Sequence, residues 1–176
     1  MDLSNRTILI TGSSDGIGKV LAIEFSKLGS NIILLGRDSS KLDQVYDQLD
    51  RSFKSQKHLI LQADLALLSN ESAHEILRAI TEEFISLDGI IHNAAILGSM
   101  TTLEDYELSR WDEVLNINLR APFLLTKTLK TILERSKLPR IIFTSSGVAN
   151  IGRAFWGAYS VSKFGIKGLA EIFANE

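Results

Sequence analysis

Cysteine is absent from the 176 residues, which excludes disulfide frameworks and thiolate metal sites and is compatible with a reducing compartment. No apolar stretch is long enough for a signal peptide or a membrane span, and the opening MDLSNRTILITG passes straight into a strand pattern. Lysine and arginine form no run. With a net charge of −2 and a pI near 5.9, the chain lacks the broad basic footprint of a general nucleic-acid or membrane-surface binder. Histidine is sparse, and His58 and His74 stand too far apart in sequence and context to suggest a metal site, while His92 reads as a packed strand residue. Internal repeats, low-complexity tracts and linkers are missing too. A composition of 45% hydrophobic and 23% charged residues is close to that of ordinary globular domains. The expectation is a soluble, cytoplasmic protein with one domain over 1–176.

Apolar runs rich in β-branched residues alternate with amphipathic segments, the order of βαβ units on a parallel sheet. Strands are expected over 7–10 (TILI), 31–35 (NIILL), 58–62 (HLILQ), 89–92 (GIIH) and 140–144 (RIIFT), each apolar on both faces as a buried parallel strand should be. Between them Val20, Leu21, Phe25 and Leu28 recur at helical spacing and Gly29 supplies a stop. Similar stripes occur at Leu42, Val45, Tyr46 and Leu49, and at Ile76, Leu77, Ile80 and Phe84. Ser109 or Asp112 is expected to cap a long fourth helix through Leu133, and a fifth helix begins near Gly157.

The first strand runs into TGSSDGIG, with Gly12, Gly16 and Gly18 opening directly into a helix. Such a loop lets the backbone approach a pyrophosphate while the helix start offers unpaired N–H groups and a positive dipole end. Its spacing, Gly-x-x-x-Gly-x-Gly, differs from the Gly-x-Gly-x-x-Gly fingerprint and is not a P-loop. A turn needed only for tight strand–helix packing is the alternative. Far downstream, AYSVSKFG at 158–165 sets Tyr159 and Lys163 four residues apart, on one helix face one turn from each other. Alone, that pair is common on solvated faces.

Taken together, TGSSDGIG, HNAA at 92–95, NINL at 116–119, the serines of FTSSG and AYSVSK resemble the short-chain dehydrogenase/reductase family in order and spacing, over nearly the whole chain. HNAAILG and FWGAYSVSKF are most similar to its bacterial YciK-type oxidoreductases. The resemblance implies an α/β fold: a Rossmann-type doubly wound parallel sheet, three-layer α/β/α, of about five strands in the order 3-2-1-4-5, ending before strands 6 and 7. It implies a single NAD(P)-binding Rossmann domain over 1–176, incomplete at its C-terminal end. It also implies catalytic roles for Asn118, Ser146, Tyr159 and Lys163.

Hydride reduction of a carbonyl develops an alkoxide, which needs a proton donor and a hydrogen-bond donor close by. On this pattern Tyr159 protonates the oxygen and Ser146 holds it, although a strand-end hydroxyl bonded only to backbone is the plainer reading of Ser146. Bringing a phenol from about 10 to near 7 requires roughly 4 kcal/mol. An ammonium about 4 Å away supplies that at an effective dielectric of about 20 but not in bulk water, so Lys163 is expected to act in a site closed to solvent. Pro122 stands four residues after Asn118 and has no N–H, so the carbonyl of Asn118 loses its usual helical partner and is free to bind a water. In the family such a water links asparagine to lysine in a proton relay; an ordinary proline kink is the alternative.

Cofactor choice falls at the end of the second strand, LLGRDSSKL. An acidic residue there receives the ribose hydroxyls of NAD and a cationic one favours the 2′-phosphate of NADP. Gly36 occupies the acidic position and Arg37 follows, so NADP (NADPH) is favoured, with NAD as the other candidate and a merely solvated Arg37 as the alternative reading. Asp38 is expected to cap the second helix, with Ser39 competing. The resemblance gives cofactor contacts at Gly12, Ser14, Asp15, Gly16, Ile17, Gly18, Arg37, Asp64, Leu65, Asn93, Ala94, Ala95, Tyr159 and Lys163. Ala95 replaces a usual glycine and is expected to crowd the cofactor. Phe155 and Trp156 are placed beside a substrate pocket, in a core or at a dimer contact.

Family chains run longer, so a sixth strand with a turn over the nicotinamide and a substrate-covering loop are expected outside these residues, leaving the fifth strand as an exposed edge. The implied partners are a small-molecule carbonyl or alcohol and a homodimer or homotetramer through the fourth and fifth helices, with no nucleic acid or membrane. A truncated, non-catalytic nucleotide-binding relative is the alternative.

Overall fold

Thr7, Ile8, Leu9, Ile10 and Thr11 are all buried, which already places the first strand inside a sheet covered on both faces. The computed structural model describes residues 2–176. The order is β1 (Thr7–Thr11), α1 (Gly16–Lys27), β2 (Asn31–Gly36), α2 (Ser39–Tyr46), β3 (His58–Gln62), α3 (Asn70–Glu83), β4 (Gly89–His92), α4 (Leu108–Leu115), α5 (Ala121–Leu133), β5 (Arg140–Phe143) and α6 (Gly157–Asn175). The five strands are parallel in the order β3-β2-β1-β4-β5, as expected for a doubly wound sheet.

Period-two alternation divides the core. Ile8, Ile10, Ile32, Leu34 and Ile91 pack with Ala22 of α1 and Leu42 and Val45 of α2. Leu9, Ile33, Leu35 and Ile90 face the other way, onto Ile76 and Ile80 of α3 and Leu125 and Leu129 of α5. The starts of α1, α2 and α3 are fixed by side-chain caps. Asp15 accepts the Gly16 N–H, and Asp38, rather than its competitor Ser39, accepts the Lys41 N–H at 3.1 Å. Gly29, with φ of 93°, ends α1 in the left-handed conformation that a side chain would oppose.

Three expectations change. Only β1, β2 and β4 are buried on both faces; β3 and β5 lie at the sheet edges and are partly exposed, with Ile142 at 52%. An edge strand has one neighbour, so its apolar run is only half covered. The expected single fourth helix is α4 and α5 joined by a π-helical turn over Asn116–Arg120, where the Ala121 N–H reaches back to the Asn116 carbonyl. Neither Ser109 nor Asp112 caps α4; Leu108 follows Glu107, which makes no side-chain cap, and the Ser109 hydroxyl is taken by the Glu107 carboxylate. Pro122 stands at the start of α5, where a missing N–H disturbs least.

Candidate active site

The C-terminal ends of β1, β2, β3 and β4 open onto a cavity of about 550 Å³, lined by Gly12, Ser14, Asp15, Gly16, Ile17, Arg37, Asp64, Leu65, Asn93, Ala94 and Ala95. In open α/β sheets this is the end where ligands bind. The glycines divide the labour. A Cβ on Gly18 would run into the Gly12 carbonyl and the Asn93 side chain, and one on Gly12 would sit 2.8 Å from the Ala94 Cα, so these two permit close packing of the loop on β4. Gly16 has φ of 51° and nothing within 4 Å of its Cβ position, leaving its backbone open to a ligand in the cavity. This bare backbone at a capped helix start, in a cavity of this size, fits a dinucleotide. Substituting Gly18 with alanine is expected to cost about 1–3 kcal/mol by overpacking; a denaturant midpoint equal to the parent's would contradict the packing role.

Loop and strand are tied by residues of the TGSSDGIG and HNAA motifs themselves. The Thr11 hydroxyl accepts N–H bonds from Asn93 and Ala94, each at 3.1 Å, and the Asn93 amide donates to the carbonyls of Thr11 and Gly12 at 3.2 Å. The Asn93 side chain is thereby spent on holding the loop. Three carboxylates line the cavity, and each has an oxygen committed to a backbone N–H: Asp15 to Gly16, Asp38 to Lys41 and Asp64 to Ala66. The Gly16 N–H and then the Lys41 ammonium hold the Asp15 carboxyl below its ordinary range. Arg37 is exposed, and its guanidinium has no hydrogen-bond or carboxylate partner among the described residues.

Ser146, Tyr159 and Lys163 lie outside the lining of this cavity, on the loop after β5 and the first turns of α6. Lys163 is 3% exposed and donates to the Thr144 carbonyl at 2.7 Å; its ammonium stands 5.6 Å from the centre of the Tyr159 ring. Burial pushes the Lys163 pKa down. The hydroxyls of Ser146 and Tyr159 have no protein hydrogen-bond partner among the described residues, whereas the neighbouring Ser160 and Ser162 hydroxyls bond to the carbonyls of Val148 and Tyr159. Hydroxyls with no protein partner are free to donate to a developing oxyanion.

Asn118 is 2% exposed, with its side chain fully engaged: Oδ1 accepts the Ile96 N–H at 2.9 Å, and Nδ2 donates to the Ile96 carbonyl and to Ser162 Oγ at 3.1 Å. Ser162, between Tyr159 and Lys163 on α6, thus joins that helix to the π turn and to the loop after β4. Nothing in the sequence spacing marks it. Tyr106 also escaped the motif reading. It accepts the Ser99 N–H, and its ring fills the space a Cβ would need at Gly157, tying the loop after β4 to the start of α6. Trp156 stands 5.9 Å from the Tyr159 ring, and Phe155 is exposed with φ of 71°, a strained conformation for an aromatic residue.

His92 ends β4 fully buried. Its ring stacks on Phe143 at 4.9 Å, Nε2 lies 2.9 Å from the Thr126 hydroxyl, and Nδ1 has no partner among the described residues. Burial without a compensating charge lowers its pKa to about 3.

The family profile described as short chain dehydrogenase matches residues 6–176. Among curated proteins, the chain is 36% identical over 174 residues to "Uncharacterized oxidoreductase YciK" of Escherichia coli (strain K12), covering 99% of this chain and 69% of that protein. It is 28% identical to "3-dehydrosphinganine reductase" of Danio rerio, of whose length it spans 53%. Among solved structures, a short chain dehydrogenase of Escherichia coli CFT073 complexed with NADPH superposes with a TM-score of 0.93 at 36% identity, covering 99% of this chain and 72% of that one.

Proposed function

The chain belongs to the short-chain dehydrogenase family, and on that premise we propose that it is an NADP-dependent oxidoreductase interconverting a carbonyl and an alcohol, its residues forming a single nucleotide-binding unit. The observation that carries the reading is the buried Lys163, its ammonium over the Tyr159 ring at 5.6 Å from the ring centre, together with Tyr159 and Ser146 hydroxyls that have no hydrogen-bond partner among the described residues. A bound NADPH supplies the hydride. Tyr159 gives its hydroxyl proton to the substrate oxygen as the carbonyl carbon receives that hydride, so a ketone or aldehyde becomes an alcohol; the reverse reaction returns the proton to Tyr159. Ser146 donates a hydrogen bond to the same oxygen, and Lys163 places positive charge beside the phenol. For Asn118 the contribution is assigned to its backbone carbonyl, in the π turn, through a water leading to Lys163, because its side chain is already spent.

At the other end of the site, the loop residues Gly12 to Gly18 hold the pyrophosphate, Asp64, Leu65 and Asn93 to Ala95 border the adenosine, and Arg37 receives the 2′-phosphate. Gly36 leaves no carboxylate at the end of β2 to repel it. The NADPH complex of the Escherichia coli relative supports this preference. Self-association is assigned to the groove lined by Leu115 of α4, Leu119 of the π turn, Phe123 of α5 and Leu169 of α6.

Calorimetric titration with NADPH and with NADH tests the reading. NADPH is expected to bind more tightly, and Arg37→Ala to weaken it by about 10–100-fold, the loss of one charge-assisted phosphate contact, with NADH affinity unchanged. Equal affinity for both nucleotides, or indifference to the Arg37 change, would overturn the NADP assignment. Tight binding with no turnover of any carbonyl would favour a non-catalytic nucleotide-binding protein.

A further inference from the structure

One charged side chain of the nucleotide cavity has no role in the reading above. Lys41, in the first turn of α2, lines the cavity together with Arg37. Its ammonium pairs with Asp15 Oδ2 at 3.6 Å, and Asp15 belongs to the loop between β1 and α1, so this contact links two separate elements that border the same cavity. Both partners are largely exposed, at 53% and 80% of their side chains, so the pair is screened and readily exchanged. Asp15 does not depend on it, because its other oxygen caps α1 through the Gly16 N–H at 2.7 Å.

Charge accounting shows what such an exchange would serve. The carboxylates of Asp38 and Asp64 are each anchored to a backbone N–H at a helix start. Among the described residues Arg37 is unpaired and Lys41 is held only by its long contact to Asp15. A phosphate monoester carries close to two negative charges at neutral pH, and one guanidinium neutralises only one of them. A nicotinamide dinucleotide without the 2′-phosphate offers Lys41 nothing in exchange for Asp15.

We propose that Lys41 is a second specificity-determining cation, held by Asp15 in the free protein and transferred to the 2′-phosphate when NADPH binds, so that Arg37 and Lys41 bracket that group. This rests on the NADP reading above. Because the ammonium leaves one anion for another, discrimination comes from the second negative charge of the phosphate, and Asp15 acts as the competitor that sets how strongly NADPH must bind to win it.

The test is a set of calorimetric titrations with NADPH, NADH and the fragments 2′,5′-ADP and 5′-AMP on the parent, Lys41→Ala, Lys41→Arg, Asp15→Asn and Arg37→Ala proteins, at low and high salt. Lys41→Ala is expected to weaken NADPH and 2′,5′-ADP by about tenfold, to change NADH and 5′-AMP by less than about twofold, and to flatten the salt dependence of NADPH binding. Lys41→Arg retains the preference. Asp15→Asn tightens 2′,5′-ADP relative to 5′-AMP by removing the competitor. A parent that prefers NADPH through Arg37 while Lys41→Ala is silent, or weakens all four ligands equally, overturns the proposal and leaves the NADP reading standing. A parent that makes no distinction between the phosphorylated and unphosphorylated ligands overturns both. Lys41 is exposed and alanine favours helices, so an unchanged melting temperature of Lys41→Ala is expected alongside.

Discussion

Replacing Tyr159 with phenylalanine is expected to slow carbonyl reduction by about 10²–10⁴-fold, the ordinary contribution of one positioned general acid. The change removes a single oxygen. Ring packing against Trp156 at 5.9 Å and the position of Lys163 above the ring do not depend on that oxygen, so fold and nucleotide binding should be nearly preserved. The buried Lys163 ammonium, 5.6 Å from the ring centre, favours a negative charge developing on the phenol oxygen. Without the hydroxyl that field has no proton to release. NADPH consumption with a carbonyl acceptor and a parallel NADPH titration separate the two effects. A Tyr159→Phe protein that turns over at the parent rate would show that the proton comes from elsewhere.

The second large effect concerns acid. His92 has its pKa lowered to about 3 by burial, against an ordinary value of 6.5. The unfolded chain therefore binds a proton that the folded chain refuses. Stability from this residue is complete above about pH 6.5 and is lost progressively as the pH falls towards 3. The full loss is on the order of 5 kcal/mol, a large fraction of a domain's stability. His58 shifts the same way, through partial burial opposed by its bond to the Asp50 carbonyl, so it adds to the slope. His92→Asn removes one titration and leaves the other. Urea unfolding between pH 7 and pH 4 is expected to give a markedly flatter profile for that variant, even if it is less stable at pH 7. Parallel profiles would mean that water reaches His92 in the folded chain and the burial argument fails.

His92 also illustrates what could be read before the fold was seen. Its place at the end of an apolar run identified a packed strand residue, but its isolation depends on Phe143 and Thr126, contributed by β5 and α5. The strands themselves were legible because a buried parallel strand needs a short β-branched run and nothing from elsewhere to be recognised. Their edge or centre position was not, since β3 and β5 read like the others and differ only in having one neighbour. The break between α4 and α5 was signalled by Pro122, yet its form, a π turn beginning at Asn116, is set by how the chain passes between the loop after β4 and α6.

The same division runs through the candidate site. Gly12, Gly16, Gly18 and Arg37 stand out in one dimension because their backbone freedom or charge is unusual at a strand end or helix start, whereas Ser146, Tyr159 and Lys163 are marked by the order of the family's motifs along the chain. By itself the sequence determined the alternation of strands and helices, the family and the residues able to carry charge, protons or a bare backbone. Only the tertiary structure decided that Gly12 and Gly18 answer to packing while Gly16 faces the cavity, that Asn118 spends its amide on Ile96 and Ser162, and that Lys41 meets Asp15. Those are contacts between segments distant along the chain. Residue type limits which contacts are chemically possible, but the folded sheet brings the partners within reach.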